Sequence, residues 1–141
     1  MTINKALVFG LMAATMAIST APTKAYADSC WHHNGSIMRL EASGNQRWFR
    51  YEEPREVLQR AGVMPGTLLF DGKNRNGRFT GYSRVFSKYC IGHPTEYAVS
   101  GWVKQNPLRV VIQGTREVYN RCVPTGRKTT DRLVFTYAYK C

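Results

Sequence analysis

The sequence predicts an all-β domain with one short helix: a small antiparallel meander β-barrel or sandwich of seven to eight strands, stapled by disulfides. Three observations predict it. Apolar and polar residues alternate with period two along most of the chain, and turn residues interrupt them every ten residues or so, the spacing of an antiparallel β domain. Gly81 and Gly101 stand inside two of the alternating runs, where the curvature of a closing sheet needs them, and this favours the barrel. Four cysteines, Cys30, Cys90, Cys122 and Cys141, all follow an N-terminal export signal, so disulfides are expected.

That signal occupies residues 1–27. Lys5 precedes an uncharged apolar run over residues 6–18, and Ala25-Tyr26-Ala27 is a small-x-small cleavage pattern. The run is 13 residues long, too short to span a bilayer as a helix. The expectation is a cleaved leader followed by one β-rich domain over residues 28–141, exported to the periplasm or the extracellular space and not membrane-spanning. Polar residues 19–24 and Asp28 argue against Cys30 as a lipid anchor. A domain of 114 residues buries roughly two thirds of its unfolded surface, enough for a core. With Lys5 and Lys24 in the leader, 18 basic residues face 9 acidic ones, a net charge of +9. Such a surface favours an anionic partner. Outside the cytoplasm that means polysaccharide, a cell-envelope polymer, lipid head groups or an acidic protein, and not nucleic acid.

Residues 35–42 alternate, with Met38 and Leu40 on one face and Arg39 and Glu41 on the other. Ser43-Gly44-Asn45 turns the chain into a second strand over residues 46–52, completing a hairpin. Residues 53–62 read as one short helix, with Pro54 in its first turn and Gly62 at its stop. Val57, Leu58 and Ala61 would then face inward. Residues 67–71 and 78–87 are strands joined through Asn76-Gly77, a strong hairpin signal. Residues 90–94 form a loop, and residues 97–104 alternate again. After Gln105-Asn106-Pro107, residues 108–114 form a strand, 116–122 a shorter one, 123–131 a polar loop and 132–139 the last strand. In strand count the chain resembles lipocalin-, avidin- and lysozyme-inhibitor-type barrels. It carries none of their signature motifs, so no family follows, and its positive charge argues against an inhibitor of basic lysozymes.

Counting Cys30 before the first strand and Cys90 after the fourth puts both at one end of an even-numbered meander. Cys141, after the last strand, lies there too. Both Cys30–Cys90 and Cys30–Cys141 are then geometrically open. The favoured pairing is Cys30–Cys90 with Cys122–Cys141, the second closing a compact C-terminal loop.

No G-x-S-x-G, C-x-x-C or zinc-type spacing occurs, and no cofactor is expected. His32 and His33 point to opposite faces if they lie in a strand, so a metal site with His93 requires a loop there. Asn34-Gly35-Ser36 matches a glycosylation sequon and also reads as a turn. Glu52, Glu53 and Glu56 suit a strand end and a helix start better than a catalytic pair. Trp48, Tyr82 and Trp102 fall on the polar strand faces, with Arg50 and Arg84 beside them, an aromatic–arginine mixture typical of binding surfaces. The principal reading is therefore an exported, non-enzymatic binding or envelope-interaction protein using Trp48, Arg50, Tyr82, Arg84 and Trp102 on an anionic partner. One alternative is a small hydrolase or metal-dependent protein using His32, His33 or His93. Another is a barrel that holds a small ligand, which an interior packed by Met38, Phe49, Phe70, Val99 and Phe135 would exclude.

Overall fold

The computed structural model describes residues 28–141 and, before them, Ala17 alone; the expected signal peptide lies outside the described residues. Eight antiparallel strands close into a barrel in simple sequential order, β1 pairing with β8. They are β1 (Ser29–His33), β2 (Ser36–Ser43), β3 (Gln46–Glu53), β4 (Leu68–Arg75), β5 (Arg78–Val85), β6 (Thr95–Lys104), β7 (Arg109–Asn120) and β8 (Val123–Lys140), with one helical turn, α1 (Glu56–Gln59), between β3 and β4. Closure leaves no free sheet edge.

The expected hairpins at residues 43–46 and 75–78 form, and Asn76 and Gly77 both take positive φ, as a two-residue primed turn requires. Gly72 and Gly81 face each other across β4 and β5, and a Cβ on either would stand 2.1 Å from a neighbouring backbone oxygen. The mid-strand glycine thus marks a close approach of two strand backbones, as its position suggested.

Four expectations need correction. Residues 29–33, expected to precede the first strand, are themselves β1, and Asn34-Gly35 is the tight turn into β2. The helix spans one turn rather than residues 53–62, because β3 continues through Glu53 to pair with Ile37. Val57 consequently faces solvent, while Leu58 is half-buried and Ala61 buried. Residues 123–131 are no loop: β7 and β8 run unbroken past the barrel rim and turn only at Arg121-Cys122. Above the rim both faces of this hairpin are largely solvated, so nothing imposes alternation there.

The fourth correction is the disulfide pairing, which is Cys30–Cys141 and Cys90–Cys122. It follows from the extra strand. With β1 counted, Cys30 opens the first strand and Cys90 follows the fifth, so they lie at opposite ends of the barrel. Cys141 follows the eighth strand and returns to Cys30, whereas Cys122 follows the seventh and meets Cys90. Two bridges fit folding in an oxidising compartment. Among the described residues no helix is long and apolar enough to cross a membrane.

The core fills the end of the barrel nearer Cys30. Met38, Phe49, Phe70, Phe79, Val110, Ile112 and Phe135 are all fully or almost fully buried. Phe49 stacks on Phe135 with centroids 3.9 Å apart, and Trp31 meets Phe49 edge-on at 5.9 Å.

Peptide mapping of the oxidised protein under non-reducing conditions should recover Cys30–Cys141 and Cys90–Cys122 and no Cys30–Cys90 fragment. Replacing Cys30 and Cys141 together by serine should cost about 2–4 kcal/mol in denaturant unfolding, since that bridge restricts almost the whole chain. Gly81→Ala should cost about 1–3 kcal/mol in the same measurement, because its methyl group meets the Asp71 carbonyl.

Candidate functional site

Toward the other end of the barrel, the inward positions change character. Along β1 the inward face passes from Trp31 to His33; along β2, from Met38 to Ser36; along β3, from Phe49 to Tyr51. On β5 it passes from Phe79 to Ser83, on β6 from Val99 to Tyr97, on β7 from Ile112 to Arg116, and on β8 from Phe135 through Leu133 to Asp131. Seven of the eight strands thus contribute a polar side chain at this level. Above it opens a cavity of about 430 Å³, lined among others by His33, Tyr51, Arg55, Leu69, Tyr97 and Asp131. That volume lies within the range of small-molecule sites.

Hydrogen bonds fix most of this ring. The Tyr97 hydroxyl donates to Asp131 Oδ2 at 3.1 Å, and Arg116 Nε donates to the same oxygen. Ser36 Oγ accepts from the backbone N–H of Arg55 at 2.9 Å. His33 Nδ1 lies 2.9 Å from the Val134 carbonyl oxygen, which can only accept, so Nδ1 carries the proton and Nε2 is left as an acceptor. Its ring stacks on Phe135 with centroids 4.4 Å apart. Burial lowers the His33 pKa below its ordinary value; the Val134 bond opposes this and the nearby Arg55 charge reinforces it. Burial raises the Tyr51 and Tyr97 hydroxyls to about 12, so both stay neutral.

Two groups are left over. Ser83 Oγ is fully buried and has no hydrogen-bond partner among the described residues. Arg55, at the start of the helical turn, makes no ion pair among the described residues, and its stem lies beside the Gly35 turn. Arg116 is compensated by Asp131 and Arg84 by Asp71 and Glu96, so Arg55 and Arg132 are the cations of the lining without an acid among the described residues.

The histidines do not gather. His33 is buried in the mouth, His32 faces out beside it, and His93 lies exposed in the β5–β6 connection. Among the described residues no group of three His, Cys, Asp or Glu side chains is placed to hold a metal. No hydrogen bond joins His33, Ser36 and Asp131 into a relay; each has other partners.

The five outer-wall residues all face away from the core, as their alternation requires. Trp48 and Tyr82 lie on one cross-strand row either side of Asp71. Arg50 pairs with Glu41 at 3.4 Å, and Arg84 with Asp71 at 2.9 Å and Glu96 at 3.1 Å. Trp102 sits apart, next to Arg78, and is half exposed. The interior residues Met38, Phe49, Phe70, Val99 and Phe135 are packed as expected, yet they fill only one end of the barrel. The mouth above them was missed. Its signal lies in the sequence as the appearance of His33, Ser36, Tyr51, Ser83, Tyr97, Arg116 and Asp131 at inward parity.

No family model and no characterised protein matches the sequence. Among solved structures, the barrel is similar to rhizavidin in its biotin complex, with a TM-score of 0.53 and 11% identity over 82% of this chain and 94% of that one. It also matches intact afifavidin in its apo form, with a TM-score of 0.49 and 15% identity over 82% of this chain and 83% of that one. At such identities the likeness shows the fold alone: an avidin-like eight-stranded barrel.

Because His33 titrates lower when folded than when unfolded, the unfolded chain binds more protons between the two values, and stability rises with pH there. Thermal melts should hold steady above about pH 7 and decline on acidification below the unfolded value of about 6.5. His33→Asn, which keeps a donor for Val134, should remove that part of the decline; an unchanged acid limb would show that His33 is not its source.

Proposed function

We propose that the protein is a non-enzymatic binding protein whose barrel mouth takes a small ligand bearing an anionic group. The observation that carries this reading is the polar-lined cavity in the barrel mouth, with Arg55 at its rim and His33, Tyr51 and Tyr97 in its wall. Buried polar groups of this kind are stable only when hydrogen-bonded, and a ligand donor or acceptor would satisfy those that face the cavity. Arg55 at the rim supplies the charge for a carboxylate or similar anion. The neutral tyrosines and His33 Nε2 supply directional bonds to an uncharged polar head. Leu58, Leu69 and Phe86 give the cavity an apolar side for the body of the ligand. Two features speak for binding over turnover: among the described residues the mouth holds no joined nucleophile–base pair, and Asp131, the carboxylate in its lining, is neutralised by Arg116.

Rhizavidin, whose fold is similar, is described in complex with biotin. Biotin is a small carboxylic acid, so it heads the panel to test. Calorimetric titration of the oxidised protein with biotin and other small carboxylates should find saturable one-site binding for at least one of them. Arg55→Glu should weaken that binding by about tenfold or more, the worth of a charge-assisted bond. Ser83→Ala should weaken it too, while leaving the unliganded protein as stable or more so. Binding untouched by both changes would place the ligand elsewhere, and no binding across the panel would remove the reading.

A further inference from the structure

The outer wall opposite the ion-paired arginines carries cations of a different kind. Arg78, Trp102 and Val111 stand side by side on one cross-strand row of β5, β6 and β7, with Arg75 next to Arg78 across the β4–β5 turn. Two residues along β6 from Trp102 is Lys104, paired in register with Arg109. On the row to the other side, Ser100 and Gln113 lead to Arg132. Together Arg78, Trp102, Lys104, Gln113 and Arg132 line a shallow groove of about 320 Å³ that contains no carboxylate. Arg78, Lys104 and Arg132 make no ion pair among the described residues, whereas Arg39, Arg50 and Arg84 elsewhere on the wall each hold at least one acid. The Arg78 guanidinium lies 5.4 Å from the centroid of the Trp102 ring, and that ring still leaves half its surface to solvent.

We propose that this groove, which shares only Arg132 with the lining of the mouth, is a second binding site, and that its ligand is an acidic polysaccharide. Three cations gathered in one groove without an acid repel one another, and an anionic occupant relieves that repulsion while stacking on the exposed ring. Charge complementarity requires the occupant to be anionic. The groove is shallow and runs across strands, so it suits an extended chain that meets several cations in succession rather than an enclosed small molecule. A pyranose face stacks on a single indole, while carboxylate or sulfate groups on the neighbouring sugars reach Arg78, Lys104 and Arg132. Single-stranded nucleic acid would call for successive aromatic platforms, and here Trp102 stands alone. A protein interface would call for an apolar centre, and here only Val111 adjoins the ring.

The test uses the oxidised protein and immobilised heparin, a sulfated polysaccharide, with neutral dextran and single-stranded DNA as comparison probes. The protein should be retained on heparin and not on dextran, and should elute as salt screens the contacts. The Arg78→Glu/Lys104→Glu variant should elute at clearly lower salt than Arg121→Glu/Arg127→Glu, which changes the charge equally at the tip of the β7–β8 hairpin. Trp102→Ala should weaken heparin binding by about fivefold to tenfold, and Trp102→Tyr should restore most of it. Equal losses in the two charge variants would reduce the effect to net charge and overturn the proposal, as would a Trp102→Ala variant that binds like the parent. Tighter binding of DNA than of heparin at the same salt would assign the groove to nucleic acid instead. Arg55→Glu should leave heparin binding intact, so failure here and failure of the mouth as a ligand site are separable.

Discussion

The stack of Phe49 on Phe135 is the contact on which the rest of the molecule depends. The two rings lie nearly parallel with centroids 3.9 Å apart, bring together β3 and β8 from opposite sides of the barrel, and sit inside a ring of Trp31, Phe70 and Phe79. An eight-stranded barrel is just wide enough for side chains to fill. Five aromatic rings on this scale fill one end of it, and at the other the inward positions turn polar around a cavity. His33 completes the column by stacking on the far face of this cluster at Phe135. The column therefore begins as hydrocarbon core and ends in a nitrogen that accepts a hydrogen bond. The transition from core to site takes place within a single stack of rings.

Charge is distributed around that column in a way that separates inside from outside. Within the mouth, Tyr97, Asp131 and Arg116 form a neutral unit, and the phenols and the imidazole stay uncharged because burial penalises their ionised forms. Two cations of its lining, Arg55 and Arg132, remain over among the described residues. On the outer wall, Arg39 is clamped by Glu52 and Asp28, and holds the Glu52 carboxyl below its usual range. Its register partner Arg50 is answered by Glu41. Like charges facing one another across β2 and β3 are thus neutralised locally. Elsewhere Arg47, Lys73, Arg75, Arg78, Lys104 and Arg132 pair with no acid among the described residues, and the last two share one groove with Arg78. The net positive charge of the chain is accordingly unevenly compensated, and the bulk count of basic and acidic residues cannot show where it falls.

Much of the fold was legible in the sequence because burial on one face imposes alternation. The β2–β3 and β4–β5 hairpins, the inward Met38, Phe49 and Phe135, and the outward Trp48, Tyr82 and Trp102 all follow from period two. The failures occurred where that rule loses its grip. Above the rim the β7–β8 hairpin is largely solvated on both sides, so residues 123–131 resemble a loop. The strand Ser29–His33 is only five residues long and rich in polar groups, so although Asn34-Gly35-Ser36 reads as a turn, the strand before it was not recognised. That one omission reversed the end of the barrel assigned to Cys90 and with it the disulfide pairing. The site was missed for a related reason: attention to exposed aromatic and basic residues picks out the outer wall, while polar residues at inward parity are a signal only once the barrel is known to close.

The two disulfides divide the molecule along the same line as its core and its mouth. Cys30–Cys141 joins the start of β1 to the residue after β8 at the packed end, on the seam where the first and last strands meet. It secures closure, on which the aromatic stack relies. Cys90–Cys122 joins the β5–β6 connection to the tip of the overhanging hairpin at the open end. There few buried contacts resist motion, and a hairpin free to swing would carry Arg116 and Asp131 with it. Because that bridge closes a shorter loop, its entropic contribution to global stability is the smaller of the two in a chain-entropy model. Its greater consequence is local: it fixes the wall against which the Tyr97–Asp131–Arg116 unit is held, and so keeps the open end of the barrel shaped before any ligand arrives. A binding site in which the polar groups are already in place loses less entropy on binding than one that must assemble around its ligand. Under the function proposed above, the bridge at the mouth supplies that preorganisation.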